Sequence, residues 1–248
     1  MNRPIVAVSL KMYFERPRTL EYARSLVELV GAERGLSDAV RLAVLPDFLT
    51  IAETGAILDG SGILLGAQDL CQDDRGARTG EVSGVDLAAL GVRVVEVGHA
   101  ERRTIYREDD AMVAAKTAAA ARNGIVPLLC IGEAERSTEA EAAAKCVGQV
   151  RSALADARPS ELWLGYEPHW AIGAPAPAPS EYVSAVCRGI REGLSDVPGL
   201  SLLYGGSAGP GLLGTLDPAI DGLFLGRFAH DPDAFVSVAG EARERAGC

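Results

Sequence analysis

The chain has 248 residues, of which 48% are apolar, 23% charged and only 5% aromatic, with a formal net charge of −10. A length of about 250 residues suits one large α/β domain or two small ones, and so few aromatics leave Ala, Gly, Val and Leu to fill most of the core. The acidic balance, with no compensating Lys/Arg run, argues against nucleic acid and anionic membrane surfaces as partners.

The five cysteines, Cys71, Cys130, Cys146, Cys187 and Cys248, are odd in number and form no C-x-x-C pair. That pattern predicts free thiols in a reducing compartment. The N-terminus has no basic segment leading into an apolar stretch of signal length, and no run approaches a membrane span, so a cytoplasmic location is expected.

Short apolar runs alternate with helix-like segments along the chain. The runs fall at residues 5–10, 42–45, 63–67, 92–97, 125–131, 162–166, 200–204 and 222–225. Each is too short and too continuously apolar for a helix with one wet face, and reads as a strand buried on both faces. Residues 17–29, 109–121, 139–155, 180–194 and 232–245 are rich in Ala, Leu, Glu and Arg with apolar spacing near 3.6, as amphipathic helices require. Residues 48–59, 85–90 and 210–216 carry weaker helical patterns. Strands separated by helices demand parallel pairing, and eight such rounds fit a closed (β/α)8 barrel forming a single domain over residues 1–248.

In such a barrel the loops after the strands gather at one end, which carries the active site. Lys11, His99, Glu167, the turn Gly205-Gly206-Ser207 and Gly226 all fall just after predicted strands. Taken singly, each has a plainer reading: a solvated lysine, a histidine capping the segment Glu101-Arg102-Arg103, a surface glutamate, and simple glycine turns. Together they suit proton transfer on a phosphorylated sugar. Glu167 would take a proton from carbon beside a carbonyl, His99 would hydrogen-bond the carbonyl oxygen, and Lys11 would stabilise an enediolate. Glycine turns after the last two strands would bring backbone N–H groups to phosphate. His99, His169 and His230 lie on separate loops without ligand spacing, so no metal and no cofactor are expected.

The stretches Leu10-Lys11-Met12, Gly66-Ala67-Gln68, Thr79-Gly80-Glu81, Gly98-His99 with Glu101-Arg102-Arg103, Cys130-Ile131-Gly132-Glu133, Tyr166-Glu167-Pro168 with Trp170-Ala171-Ile172-Gly173, Tyr204-Gly205-Gly206-Ser207 and Asp221-Gly222 occur in order. With them the chain resembles the triosephosphate isomerase family over nearly its whole length. The resemblance implies Glu167 as base, His99 as electrophile, Lys11 as electrostatic partner and Glu101 as the residue pairing with Lys11. It implies Gly173, Ser207 and Gly226 as phosphate-gripping positions, a packing role for Cys130, and a homodimer through the loop from Gln72 to Glu81 with Thr79 at its tip. The reaction expected from it interconverts dihydroxyacetone phosphate and glyceraldehyde 3-phosphate, in glycolysis and gluconeogenesis.

Departures from the family pattern cluster at the substrate site. Ser9 stands where the family has asparagine, Ala100 replaces a serine, Arg227 replaces a glycine, and the lid reads Ala174-Pro175-Ala176 in place of Thr-Gly-Lys. Ser9 leaves more room near the carbonyl, and Arg227 could clamp phosphate through its guanidinium. These changes suit a longer substrate, so the alternative expectation is an isomerase of a four-carbon ketose phosphate, erythrulose 1-phosphate to erythrulose 4-phosphate. A catalytically silent metabolite-binding barrel and a lyase or synthase on the same fold are further alternatives. His169 stands in the lid hinge. Counting back by alternation from His99, Glu96 is expected to face the helix layer, beside an arginine or ordered water.

Overall fold

The computed structural model describes residues 3–172, 178–206 and 208–247. The chain alternates β1 (Ile5–Ser9), α1 (Arg16–Ala32) and a short α2 (Leu36–Ala39), then β2 (Arg41–Leu45), α3 (Ile51–Leu58), β3 (Ile63–Ala67), α4 (Gly84–Ala89) and β4 (Val94–Val97). It continues through α5 (Ala100–Ile105), α6 (Asp110–Arg122), β5 (Val126–Ile131), α7 (Glu139–Ala153), β6 (Leu162–Tyr166), α8 (Ser180–Gly193), β7 (Leu200–Tyr204), β8 (Gly222–Leu225) and α9 (Pro232–Arg245). The strands pair in parallel, in sequence order, and close into a barrel where β1 meets β8. This is the expected (β/α)8 architecture in one domain.

The boundaries follow local hydrogen bonding. The amides of Val92 and Ile125 donate to Leu87 and Ala120 and so close the preceding helices, which delays β4 and β5 to Val94 and Val126. Several helix starts are capped by side chains: Asp109 Oδ1 accepts from the Met112 amide at 2.8 Å, and Thr138 with Glu141 forms a reciprocal capping box. Residues 210–216 contain only a 3-10 turn at Leu213–Thr215, since Gly209, Pro210, Gly211 and Gly214 disfavour a helix. Helices α2 and α5 were not legible as periodic segments because each is under two turns long.

Two apolar layers result from strand alternation. Ile5, Ala7, Ala43, Leu45, Val94 and Leu128 fill the barrel interior. Val6, Val8, Leu42, Val44, Val95 and Leu129 face the helices. At the N-terminal end of the barrel, Arg41 is neutralised by Glu161, which also accepts from Trp163 Nε1 at 2.8 Å. Among the described residues, no helix is long and apolar enough to cross a membrane.

Barrel closure depends on a glycine. A Cβ at Gly222 would lie 1.8 Å from the carbonyl oxygen of Ile5 on the adjoining strand, so any side chain there pushes β1 and β8 apart. Gly222→Ala is therefore expected to destabilise the protein by about 2 kcal/mol or more, seen as a lower urea midpoint, whereas Gly240→Ala on α9, where a Cβ meets open space, leaves the midpoint unchanged or raised.

Candidate active site

The interior alternation carries β1, β4, β6, β7 and β8 to one rim, where Ser9, Glu96, Glu167, Gly205 and Gly226 point inward or follow inward positions. Ser9, Lys11, Glu101, Glu167, Gly226 and Arg227 line one cavity of about 170 Å³. His99 lines an adjoining cavity of about 270 Å³, which shares Ser9, Lys11 and Glu101 with the first. Its Nε2 stands 3.3 Å from Glu167 Oε2. Seven of the nine residues expected from sequence at this site therefore converge; Gly173 and Ser207 lie outside the described residues, as does the lid segment Ala174-Pro175-Ala176.

Lys11 adopts a left-handed backbone with φ of 49°, a conformation unfavourable for a residue with a Cβ. Gln68 holds it there: its amide Nε2 donates to the Lys11 carbonyl at 3.1 Å and to the Leu45 carbonyl at 3.0 Å. The ammonium then reaches Glu101 Oε1 at 2.7 Å, which is the expected pairing. Burial pulls the Lys11 pKa down, but the Glu101 hydrogen bond and the charges of Glu167, Glu101 and Glu96 outweigh it and hold the group above its ordinary value. Lys11 is a fixed cation at neutral pH.

His99 caps α5. Its Nδ1 accepts the backbone N–H of Glu101 at 3.1 Å. A ring nitrogen that accepts carries no proton, so the neutral imidazole has its N–H on Nε2, the atom facing Glu167. The cap and the tautomer are thus set by one hydrogen bond.

Glu167 is 7% exposed, and its Oε2 makes no hydrogen bond of normal geometry. Two glycines make room for it. A Cβ at Gly205 would lie 2.4 Å from Glu167 Cγ and 2.7 Å from Oε1, and one at Gly132 would lie 1.9 Å from the Glu167 carbonyl oxygen. Just beyond it, a 3-10 turn at His169–Ala171 begins the lid. That turn is moored to Glu133, which is 1% exposed and accepts from Trp170 Nε1 at 2.8 Å, Tyr182 OH at 3.1 Å and Tyr166 OH at 3.2 Å. The His169 amide adds a bond to the Glu133 carbonyl at 3.0 Å. Burial holds the His169 imidazole below the usual histidine range, so it is neutral near pH 7.

Glu96 departs from expectation. It does not face the helices: its Oε1 lies 3.8 Å from His99 Nε2 and accepts a long contact from Cys130 Sγ at 3.9 Å, with no arginine beside it. The alternation fails because Gly98 has φ of +70°, which turns the backbone over between Val97 and His99, and Arg103 Nε locks that turn by donating to the Gly98 carbonyl at 2.9 Å. Counting from Val94, an interior residue, places Glu96 correctly. Burial, and secondly the Glu167 charge, push its pKa up, against the pull of His99.

The roles of Gln68, Gly132 and Glu133, and the space that Gly205 leaves for Glu167, are not legible in the sequence, although all four lie in the motif stretches; a carboxylate two residues past a strand, with tyrosine and tryptophan elsewhere, gives no local signal of a shared partner. Gly205→Ala should displace the Glu167 carboxyl while leaving the fold intact. The expected outcome is a fall in kcat of about a hundredfold, as for a misplacement near 1 Å, with an unchanged circular dichroism spectrum; full activity would show that the base does not need the space.

Residues 4–242 match the triosephosphate isomerase family. An L-erythrulose-1-phosphate isomerase of Pectobacterium atrosepticum is 46% identical over 245 residues, covering 96% of this chain and 95% of that one. A triosephosphate isomerase of Moorella thermoacetica is 39% identical over 249 residues, covering 96% and 98%. An L-erythrulose-1-phosphate isomerase of Rhizobium etli is 38% identical over 245 residues, covering 94% and 90%. Fold, site layout and sequence agree: the chain belongs to the triosephosphate isomerase family of isomerases.

Proposed function

We propose that this protein isomerises a four-carbon ketose phosphate, interconverting erythrulose 1-phosphate and erythrulose 4-phosphate, by proton transfer through an enediolate. The observation that carries the isomerase chemistry is the pairing of Glu167 Oε2 with His99 Nε2 at 3.3 Å beside the Lys11 cation. In the reaction, Glu167 removes the proton from the carbon beside the carbonyl, and His99 Nε2–H donates to the carbonyl oxygen as negative charge builds there. Lys11, held by Glu101, stabilises that charge without changing protonation. Returning the proton to the neighbouring carbon moves the carbonyl one position along the chain. The phosphate sits at Gly226 and Arg227, and also at Gly173 and Ser207 by family resemblance; Arg227 is exposed at the cavity wall, where its guanidinium can meet a dianion bidentately.

Two features favour four carbons over three. Ser9 is shorter than the family's asparagine and widens the cavity beside Lys11, and two of the relatives above carry the erythrulose-phosphate name. The triose remains the second reading, supported by the Moorella relative. The discriminating measurement is kcat/KM on L-erythrulose 1-phosphate and on glyceraldehyde 3-phosphate: the four-carbon sugar is expected to be preferred by about a hundredfold, and triose turnover near the diffusional ceiling of about 10⁸ M⁻¹s⁻¹ would overturn the assignment.

The protein is further proposed to be a cytoplasmic homodimer. Free, buried Cys71, Cys130, Cys146 and Cys187 suit a reducing compartment. Met12, Phe48 and Tyr106 line the second cavity and are 94%, 41% and 66% exposed, apolar surface costly to leave in water, and the exposed loop carrying Thr79 is the arm that would cover it on a second copy. Sedimentation equilibrium should give twice the 25.9 kDa chain mass, and Thr79→Arg should shift it to the monomer; a wild-type monomer would exclude the dimer.

A further inference from the structure

Glu96 is a buried titratable group that the proton-transfer chemistry leaves without a task. It projects from β4 into the barrel interior and is 3% exposed, with Ser9 of β1 2% exposed. Ser9 Oγ is buried without a hydrogen bond of normal geometry, yet its hydroxyl lies close enough to the Glu96 carboxyl to act on its ionisation. A buried hydroxyl without a well-formed hydrogen bond and a buried carboxyl whose contacts are a thiol at 3.9 Å and an imidazole edge at 3.8 Å, besides that hydroxyl, both cost stability. Buried polar atoms in that state call for a partner that is not part of the protein.

Ser9 and Glu96 both line the cavity of about 270 Å³ that also holds Lys11 and His99. Arg227 and Gly226 line the other cavity, joined to it through Ser9, Lys11 and Glu101. A sugar phosphate lying across the join, with phosphate toward Arg227 and its reacting carbons between Glu167 and His99, directs its far end to Ser9 and Glu96. A triose phosphate ends at the reacting carbon. A four-carbon ketose phosphate carries one hydroxymethyl group beyond it.

We propose that Ser9 and Glu96 form the subsite for that hydroxymethyl group, the Glu96 carboxyl and the Ser9 hydroxyl exchanging hydrogen bonds with its oxygen and thereby selecting four carbons over three. The proposal rests on the four-carbon reading of the function. Burial, reinforced by the Glu167 charge, raises the Glu96 pKa, while His99, Lys11 and the Ser9 hydroxyl pull it down; a carboxyl oxygen accepts from a hydroxyl, and the Ser9 hydroxyl both donates and accepts.

The test compares two unreactive probes, erythritol 4-phosphate and glycerol 3-phosphate, as competitive inhibitors. The wild type should bind the four-carbon probe about tenfold more tightly, the size of one buried hydrogen bond. Glu96→Val should abolish that preference while glycerol 3-phosphate inhibition stays within about threefold of wild type. Glu96→Gln, which keeps a side-chain acceptor oxygen, should retain most of it, and Ser9→Ala, which removes a hydroxyl without adding bulk, should reduce it several-fold if the valine variant fails to fold. An unchanged preference in Glu96→Val or Ser9→Ala, or an equal loss on both probes, would overturn the subsite. The reading of the function fails separately, if the wild type turns over no four-carbon ketose phosphate; the inhibitor ratio then still decides whether Ser9 and Glu96 bind a hydroxyl.

Discussion

Closure of the parallel barrel is the constraint from which the site follows. Pairing Ile5 with Gly222 and Val8 with Leu225 leaves no edge strand and sends the end of every strand to the same rim. Interior positions then alternate in fixed register, so Ser9, Glu96, Glu167 and Gly205 reach one space from β1, β4, β6 and β7 despite lying nearly two hundred residues apart in sequence. Close approach needs glycine at the seam, at Gly222, and again around Glu167, at Gly132 beside its backbone carbonyl and at Gly205 beside its carboxyl. Glycine, the residue that lets the barrel close, also lets the Glu167 carboxyl enter it.

The site is assembled at the expense of local stability. Lys11 sits in a left-handed conformation, Glu167 keeps an oxygen without a hydrogen bond, and Glu96 is buried with weak partners. Surrounding structure determines each of these. Gln68 pins the lysine backbone, Glu101 draws out its ammonium, and the first turn of α5 orients His99. Dipoles and charges arranged in advance need no reorganisation when charge develops on a substrate. Beyond Glu167, Glu133 gathers two tyrosines and a tryptophan from β6, the turn at His169–Ala171 and α8, so that turn is held by a buried carboxylate although Glu167 itself stays unencumbered.

Much of the architecture is legible in the sequence because the strands are continuously apolar and helices of three or more turns carry a clear period. The rim is legible too: Lys11, His99 and Glu167 each follow a strand, and position after a strand is all that the barrel rule requires. What could not be read depends on backbone signs and on long-range partners. Glu96 was misplaced because alternation was counted through Gly98, whose positive φ no pattern of side chains reveals. Helix α5 is only six residues long and has too little period to announce itself, yet it fixes the His99 tautomer. The hydrogen bonds of Gln68 and Glu133 join residues brought together only by folding, such as Gln68 with Lys11 and Glu133 with Tyr182.

Glu167 as the proton-transferring base is the claim on which the account turns, and exchange of substrate carbon-bound hydrogen with solvent tests it most directly. In deuterium oxide, the wild-type protein should introduce deuterium at the two carbons between which the carbonyl of a ketose phosphate migrates, followed by proton NMR. Glu167→Gln, which preserves shape and removes the base, should slow that exchange by several orders of magnitude with the fold unchanged. Exchange at the wild-type rate in the glutamine variant would contradict the account.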